Sequence, residues 1–260
     1  MEIHLKRIAK SLALDAMRVS HPLAPNYITR AILRLMKIGF EPLSDSLDYP
    51  SDARAACCIS VDFDATEPSR LHANHEGTKA ILKLAERHDI SITWAICGKT
   101  AEEDPEAYQA ISKSDAGHEI AIHTYSHIDV SSCSPEELEG EIERCKKALG
   151  LHSLPRTFIF PWNKEGHFPT LRKMGFLAYR GPKRIIGGPI KTNGLWNIPP
   201  VYYVGEKSFG ASPLIKRFID FCIACHSAFH LWLHPWSIVQ DGSCEVFVRK
   251  TLEPVFKYLD

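Results

Sequence analysis

The sequence predicts an α/β fold in which parallel strands are covered by helices, arranged either as a barrel or as a doubly wound sheet. Three observations carry this reading. From residue 55 onward short apolar runs alternate with amphipathic stretches, the signature of repeated β–α units. Polar clusters follow several of those runs, at the strand ends where parallel architectures place their sites. The chain has 260 residues, 45% apolar and 24% charged, which is enough for a sizeable core and ordinary for a globular protein.

The elements follow in order. The run 55–63, AACCISVDF, reads as a buried strand, and 77–88, GTKAILKLAERH, as the helix after it. Residues 90–96, ISITWAI, form a second strand, followed by the helical pattern 103–113. Residues 117–123, GHEIAIH, end in a third strand. The stretch 134–150 opens with the helix start SPEE and closes on Gly150. TFIF at 157–160 is a fourth strand, with a helical patch at 169–175. FLAYR and LWNIPP are short strand candidates. A helix over 212–227 leads into the strand AFHLWLH, and 244–256 is a closing helix. Residues 1–52 stand apart as a helical N-terminal extension to a unit over 53–260. Leu5, Ile8, Leu12 and Met17 mark one amphipathic helix, and Ile28, Ile32, Leu35 and Met36 a second, with prolines limiting both. These helices pack on the main unit or offer a basic surface to anionic lipid, since residues 1–40 hold seven basic against two acidic side chains.

The whole chain balances 31 basic against 31 acidic residues, which argues against a protein built to hold a nucleic acid backbone. No apolar run is long enough to span a bilayer, and the N-terminus lacks the pattern of a secretory signal, so a cytosolic chain is expected. The eight cysteines are then expected as free thiols.

Three clusters carry the chemistry. Asp62 and Asp64 close the first strand, two residues apart and so on one face; two such carboxylates need a cation or a shared proton to offset their repulsion. Read structurally, the pair is a helix cap and a solvated turn acid. His123-Thr-Tyr-Ser-His127 follows the third strand, and an H-x-x-x-H pair on a helical turn places both imidazoles on one face. With Asp64 they form a His₂-carboxylate set that leaves a position open for water. His234 ends the late strand, where it can act as an acid or base near neutral pH or simply order the chain before Pro235.

Taken together, Asp62-Phe63-Asp64, ITWAICG, GHEIAIHTYSH, FIFPW and LWLHP resemble the NodB-type polysaccharide deacetylases, the family 4 carbohydrate esterases, over roughly residues 55–240. The resemblance implies a distorted barrel of about seven parallel strands and one divalent metal, usually zinc. It implies Asp64, His123 and His127 as ligands, Asp62 as general base and His234 as general acid. It assigns the turn Pro161-Trp162-Asn163 to the oxyanion and substrate, with the Trp162 backbone N–H as oxyanion donor. The substrate would be an N-acetylated sugar, glycan or sugar nucleotide. The sequence departs from the family at Ile159, where an arginine that pairs with the catalytic aspartate is usual; Arg180 is the candidate to replace it. The late motif reads His-Pro where many members have His-Asp. Trp236 is a candidate for stacking on a sugar ring.

Two rivals stand beside this reading. One is a hydrolase of the same fold acting on a different C–N bond, such as a formamide or cyclic amide, with or without metal. The other is a catalytically silent glycan-binding protein. Other motifs read as structure: Cys222-x-x-Cys225-His226 as core packing in a helix, Cys57-Cys58 as buried thiols, His72-x-x-His75 as a solvated face, and His118 as ordering the start of its strand. Glu67 could line the site.

Overall fold

The computed structural model describes residues 49, 53, 55–182, 189–224 and 226–260. The helical extension predicted over 1–52 therefore lies outside the described residues, save half-buried Tyr49.

The described strands form one nine-stranded sheet. In chain order they are β1 (Ala56–Phe63), β2 (Thr93–Ile96), β3 (Glu119–Ile122), β4 (Thr157–Ile159), β5 (Ala178–Arg180), β6 (Ile190–Thr192), β7 (Leu195–Asn197), β8 (Tyr202–Val204) and β9 (Ala228–Leu233). The spatial order is β6-β7-β5-β4-β3-β2-β1-β9-β8. Every pairing is parallel except the β6–β7 hairpin. The expected parallel α/β sheet is present, with one antiparallel strand added at its edge.

The sheet is curled into a half-barrel, and one contact shows how strongly. Arg180 ends β5 and Asp62 lies in β1, four strand spacings apart; on a flat sheet they would sit about 19 Å from each other. Instead the guanidinium meets the carboxylate at 2.5 Å. The register puts Ala95 of β2 beside Asp62, and Ala121 of β3 beside Ala95. These small side chains leave the concave face open for the long Arg180 to cross. Ile59, Val61 and Phe63 alternate with Ser60 and Asp62 and face the other way, into the main core with Trp94, Ile96, Ile122 and Phe158. The apolar core thus lies between the sheet's convex face and the helices, and the concave face holds a buried polar cluster.

Helix α1 (Pro68–Arg87) begins two turns earlier than its apolar periodicity, because its first turns are polar and start on proline. Gly77 in its middle packs directly on the Pro235 backbone, where a Cβ would come within 2.1 Å of the carbonyl oxygen. Between β2 and β3 the predicted single helix is two, α2 (Gly98–Glu103) and α3 (Pro105–Ser112). Asp104 separates them and caps the second through its side chain to the Ala107 N–H. Helix α4 (Pro135–Ala148) starts where expected, on a capping box of Ser134 with Glu137, and Gly150 follows it at φ +62°. Helices α5 (Phe168–Lys173) and α6 (Ser212–Ala224) fall where expected. The closing segment is not one regular helix. A short α7 (Glu245–Phe247) runs through a π-helical turn at Val248–Leu252 into α8 (Glu253–Leu259), where Pro254 has no N–H to continue the ladder. No helix among the described residues is long and apolar enough to cross a membrane.

Candidate active site

The chemistry collects at the C-terminal ends of β1, β3 and β9 and on the concave face behind them. Asp62 is buried in β1, and Arg180 grips both of its oxygens from Nη1 and Nη2. Burial pushes the Asp62 carboxyl up, but the charge and hydrogen bonds of Arg180, with the charges of His123 and His234, outweigh it and hold the group below its ordinary value. Arg180 is therefore the cation that pairs with Asp62, while Ile159 offers no charge there. The Ile159 carbonyl, for its part, accepts a hydrogen bond from His123 Nδ1 at 2.7 Å.

Behind the pair lies a directed chain that the sequence patterns do not reveal. Arg180 Nη1 also donates to Ser60 Oγ at 3.0 Å, and Ser60 Oγ lies 2.8 Å from His230 Nε2. His230 Nδ1 is 2.9 Å from the Ile198 carbonyl and so must be its N–H donor, leaving Nε2 to accept from the serine. Burial, with the nearby Arg180 charge, pushes the His230 pKa down to about 3, keeping the ring neutral.

Asp64 sits one residue beyond β1. Its Oδ1 accepts from Trp236 Nε1 at 3.1 Å, which leaves Oδ2 facing three imidazoles. From Oδ2 the Nε2 atoms of His127, His234 and His123 lie at 3.3, 3.4 and 3.9 Å. Burial opposes ionisation of Asp64, but the charge of His234 and the hydrogen bonds of His127 and His234 hold it well below the usual carboxylate range. The same contact, against the effect of burial, raises His234. Burial lowers His123 to about 4, so its imidazole is neutral at pH 7.

The HTYSH segment is not a helical turn, contrary to the expectation. It is an irregular loop in which Thr124 and His127 adopt positive φ, +59° and +60°. Non-glycine residues rarely sit there, so outside contacts must hold the loop. Glu141 of α4 supplies them. It accepts from the Tyr125 and Ser126 N–H groups at 3.1 and 2.7 Å and from Ser126 Oγ at 2.9 Å. The two histidines still meet, with ring centroids 4.8 Å apart.

The turn Pro161-Trp162-Asn163 borders the cluster with Trp162 at φ +58°. Trp162 is 64% exposed and its ring packs edge-on against His127 at 4.7 Å. Pro161 is buried; neither it nor Asn163 joins the hydrogen bonds of the cluster, and Asn163 Oδ1 is buried without a partner. Across the cluster, Trp236 stacks against His234 at 4.8 Å and carries the Arg70 guanidinium 4.1 Å from its ring centroid. Glu67 pairs with Arg70 at 3.3 Å.

Asp64, His123 and His127 present one ligand atom each within 4.8 Å of one another, and Asp62, Asp64 and His234 form a second such group. The donor set fits a divalent cation. His123 donates from Nδ1, so its Nε2 carries the lone pair, and that buried atom has no hydrogen-bond partner. Two imidazoles and one carboxylate suit a borderline ion such as zinc.

Some structural expectations change. His75 is not a solvated residue: its Nδ1 bonds Asp104 Oδ1 at 2.9 Å, tying α1 to α3. Cys57 is exposed and Cys58 half-buried at the start of β1, not both buried. His118 orders its strand as expected, accepting from the Ile92 N–H at 3.2 Å. Cys222 is buried in α6, while Cys225 lies outside the described residues.

Residues 53–163 match the polysaccharide deacetylase family. That span takes in Asp62, Asp64, His123, His127 and the Pro161 turn, but ends before Arg180 and His234. Over 110 residues the chain is 31% identical to a peptidoglycan deacetylase-like protein of Gibberella zeae, covering 35% of this chain and 32% of the relative. Over 106 residues it is 28% identical to a chitooligosaccharide deacetylase of Bradyrhizobium sp., covering 39% and 48%. The chain thus spans about a third to a half of the length of these curated relatives. A solved structure from Mycobacterium smegmatis, assigned to the polysaccharide deacetylases, superposes with a TM-score of 0.68 at 20% identity, covering 83% of this chain and 88% of that one. Residues 53–163 are thus similar to the polysaccharide deacetylase family, and the chain has the fold of a solved protein assigned to it.

Proposed function

We propose that this protein is a metal-dependent hydrolase that removes acetyl groups from an N-acetylated sugar. The observation that carries the proposal is the joint geometry of Asp64, His123 and His127 beside an arginine-clamped Asp62. A divalent cation held by those three residues would supply a Lewis acid for a carbonyl oxygen and a lowered pKa for an attacking water. The chain's own residues do the rest. Asp62, kept ionised by Arg180, accepts the proton of the attacking water. Because Arg180 binds both carboxylate oxygens, Asp62 is fixed in one orientation. His234, whose pKa Asp64 and Asp62 raise against the effect of burial, lies 3.8 Å from Asp62 Oδ2 and donates to the departing amine. Trp162 and Trp236 border the cluster with apolar faces on which a sugar ring can stack.

The arginine clamp also bears on the rivals. A missing arginine at Ile159 would favour a silent glycan binder, and Arg180 removes that reason. Acetate release from N-acetylglucosamine oligomers and from UDP-N-acetylglucosamine tests the proposal. The parent is expected to release acetate from one of these. Asp62→Asn is expected to lose at least ~100-fold in kcat. An Asp62→Asn variant with parental rates would contradict Asp62 as base, and a chelated protein with full activity would contradict the metal.

A further inference from the structure

A guanidinium can grip a carboxylate end-on through both Nη atoms or side-on through Nε and one Nη. Arg180 grips Asp62 end-on, and its Nε is buried with no hydrogen-bond partner among the described residues. We infer that Ser60 and His230 are positioning residues that fix Arg180 in the end-on grip and through it hold the Asp62 carboxylate in place, a role that rests on the deacetylase reading above.

The direction of each bond follows from the donors at hand. Arg180 Nη1 has two hydrogens; one goes to Asp62 Oδ1 and the other to Ser60 Oγ, at 3.0 Å. A guanidinium cannot accept, so Ser60 Oγ is the acceptor there and turns its own proton to His230 Nε2, 2.8 Å away. His230 Nδ1 faces the Ile198 carbonyl at 2.9 Å, so Nδ1 carries the ring hydrogen and Nε2 the lone pair. One tautomer satisfies every member. A hydrogen on Nε2 would oppose the serine proton, and burial with the Arg180 charge keeps the ring from gaining one.

The chain is tied to the sheet at both ends. Ser60 of β1 is in register with Trp232 of β9, and His230 lies two residues before Trp232, on the same concave face. The Trp232 ring lies under the guanidinium, 4.6 Å from ring centroid to Cζ. At the far end Ile198 follows β7, and its own N–H bonds the carbonyl of Tyr179, the residue before Arg180, at 2.9 Å. The bonds therefore leave Arg180, cross the concave face through β1 and β9, and return to β5. Without the Ser60 oxygen the second Nη1 hydrogen loses its acceptor in a buried site. The guanidinium then gains by turning its unpaired Nε toward Asp62, which shifts the carboxylate with it.

Ser60→Ala removes the acceptor, Ser60→Thr restores it, and His230→Leu removes the next link. With zinc-loaded protein and N-acetylglucosamine oligomers, Ser60→Ala and His230→Leu are each expected to lose about 10- to 100-fold in kcat with KM changed less than about 2-fold. Ser60→Thr is expected within about 5-fold of the parent. Because both residues act through one chain, the double variant should lose no more than about 3-fold beyond the worse single variant. A parental kcat in Ser60→Ala, or losses that multiply in the double variant, overturn the inference. Zinc affinity separates positioning from general damage: it should stay within about 3-fold of the parent in Ser60→Ala, and its collapse together with kcat overturns the inference. Two readouts need no catalysis. Imidazole ¹⁵N shifts should show His230 as the neutral Nδ1–H form near neutral pH in the parent, and an Nε2–H form overturns the inference. A crystal structure of Ser60→Ala should show Arg180 turned to bring Nε onto Asp62, and an unchanged end-on grip overturns it. A parent that releases no acetate contradicts the deacetylase reading, and these two readouts then decide the positioning role alone.

Discussion

Replacing Arg180 with methionine tests the buried clamp on which the concave face is built. The two side chains are 2% and 3% exposed, and the arginine makes two charge-assisted bonds to Asp62 and a third to Ser60. Arg180→Met leaves a carboxylate with no cation in a desolvated pocket, and breaking such a pair costs about 3–5 kcal/mol. The cost has a ceiling. Once burial lifts the Asp62 pKa past the working pH, the group takes up a proton, and each unit of that lift is worth about 1.4 kcal/mol. Urea denaturation at neutral pH reads the loss; with a slope of about 2–3 kcal/mol/M the midpoint should fall by about 1–2.5 M. The double variant Arg180→Met/Asp62→Asn removes the orphaned charge and should recover at least ~1 kcal/mol relative to additivity of the single variants. A loss under about 1 kcal/mol for Arg180→Met, or strict additivity in the cycle, would refute the clamp as an energetic unit.

Three further outcomes follow from the same geometry. Glu141→Ala removes the acceptor for two loop N–H groups and a hydroxyl, and should weaken divalent metal binding about 10- to 100-fold by calorimetry while the global fold survives. Gly77→Ala drives a Cβ into the Pro235 carbonyl and should cost about 1–3 kcal/mol in urea denaturation, with unchanged stability the contrary result. His230 is neutral when folded, with a pKa of about 3 against 6.5 when unfolded, so in between the unfolded chain binds more protons. Stability therefore falls as pH drops from about 6.5 toward 3. His230→Gln should flatten the slope by about 1.4 kcal/mol per pH unit, and an equal slope in both proteins counts against a buried neutral imidazole.

The sequence is most legible where chemistry and spacing coincide. Asp62 and Asp64 are two residues apart at a strand end and so share a face, and His123 and His127 are four apart, close enough for a turn to bring together. The long strands β1 and β9 carry enough apolar residues to declare themselves. What stays hidden depends on curvature or on very short elements. Asp62 and Arg180 are 118 residues apart in the chain, and only the curl of the sheet brings them into contact. Ser60 and His230 each sit inside an apolar strand run and read as filler, although they complete the buried chain behind Arg180. Ile198, where that chain ends, follows β7, three residues long and too short for a period to show. The HTYSH turn misleads because i, i+4 spacing suggests a helix, whereas Glu141 on α4 holds the loop in positive φ.

Metal stoichiometry tests the central claim most directly. Purified protein, stripped with a chelator and titrated with zinc, should bind one equivalent per chain, with the site lost in His127→Ala and kept in Asp62→Asn. A parent protein that binds no stoichiometric divalent cation, or a His127→Ala variant that binds it as tightly as the parent, would contradict the account.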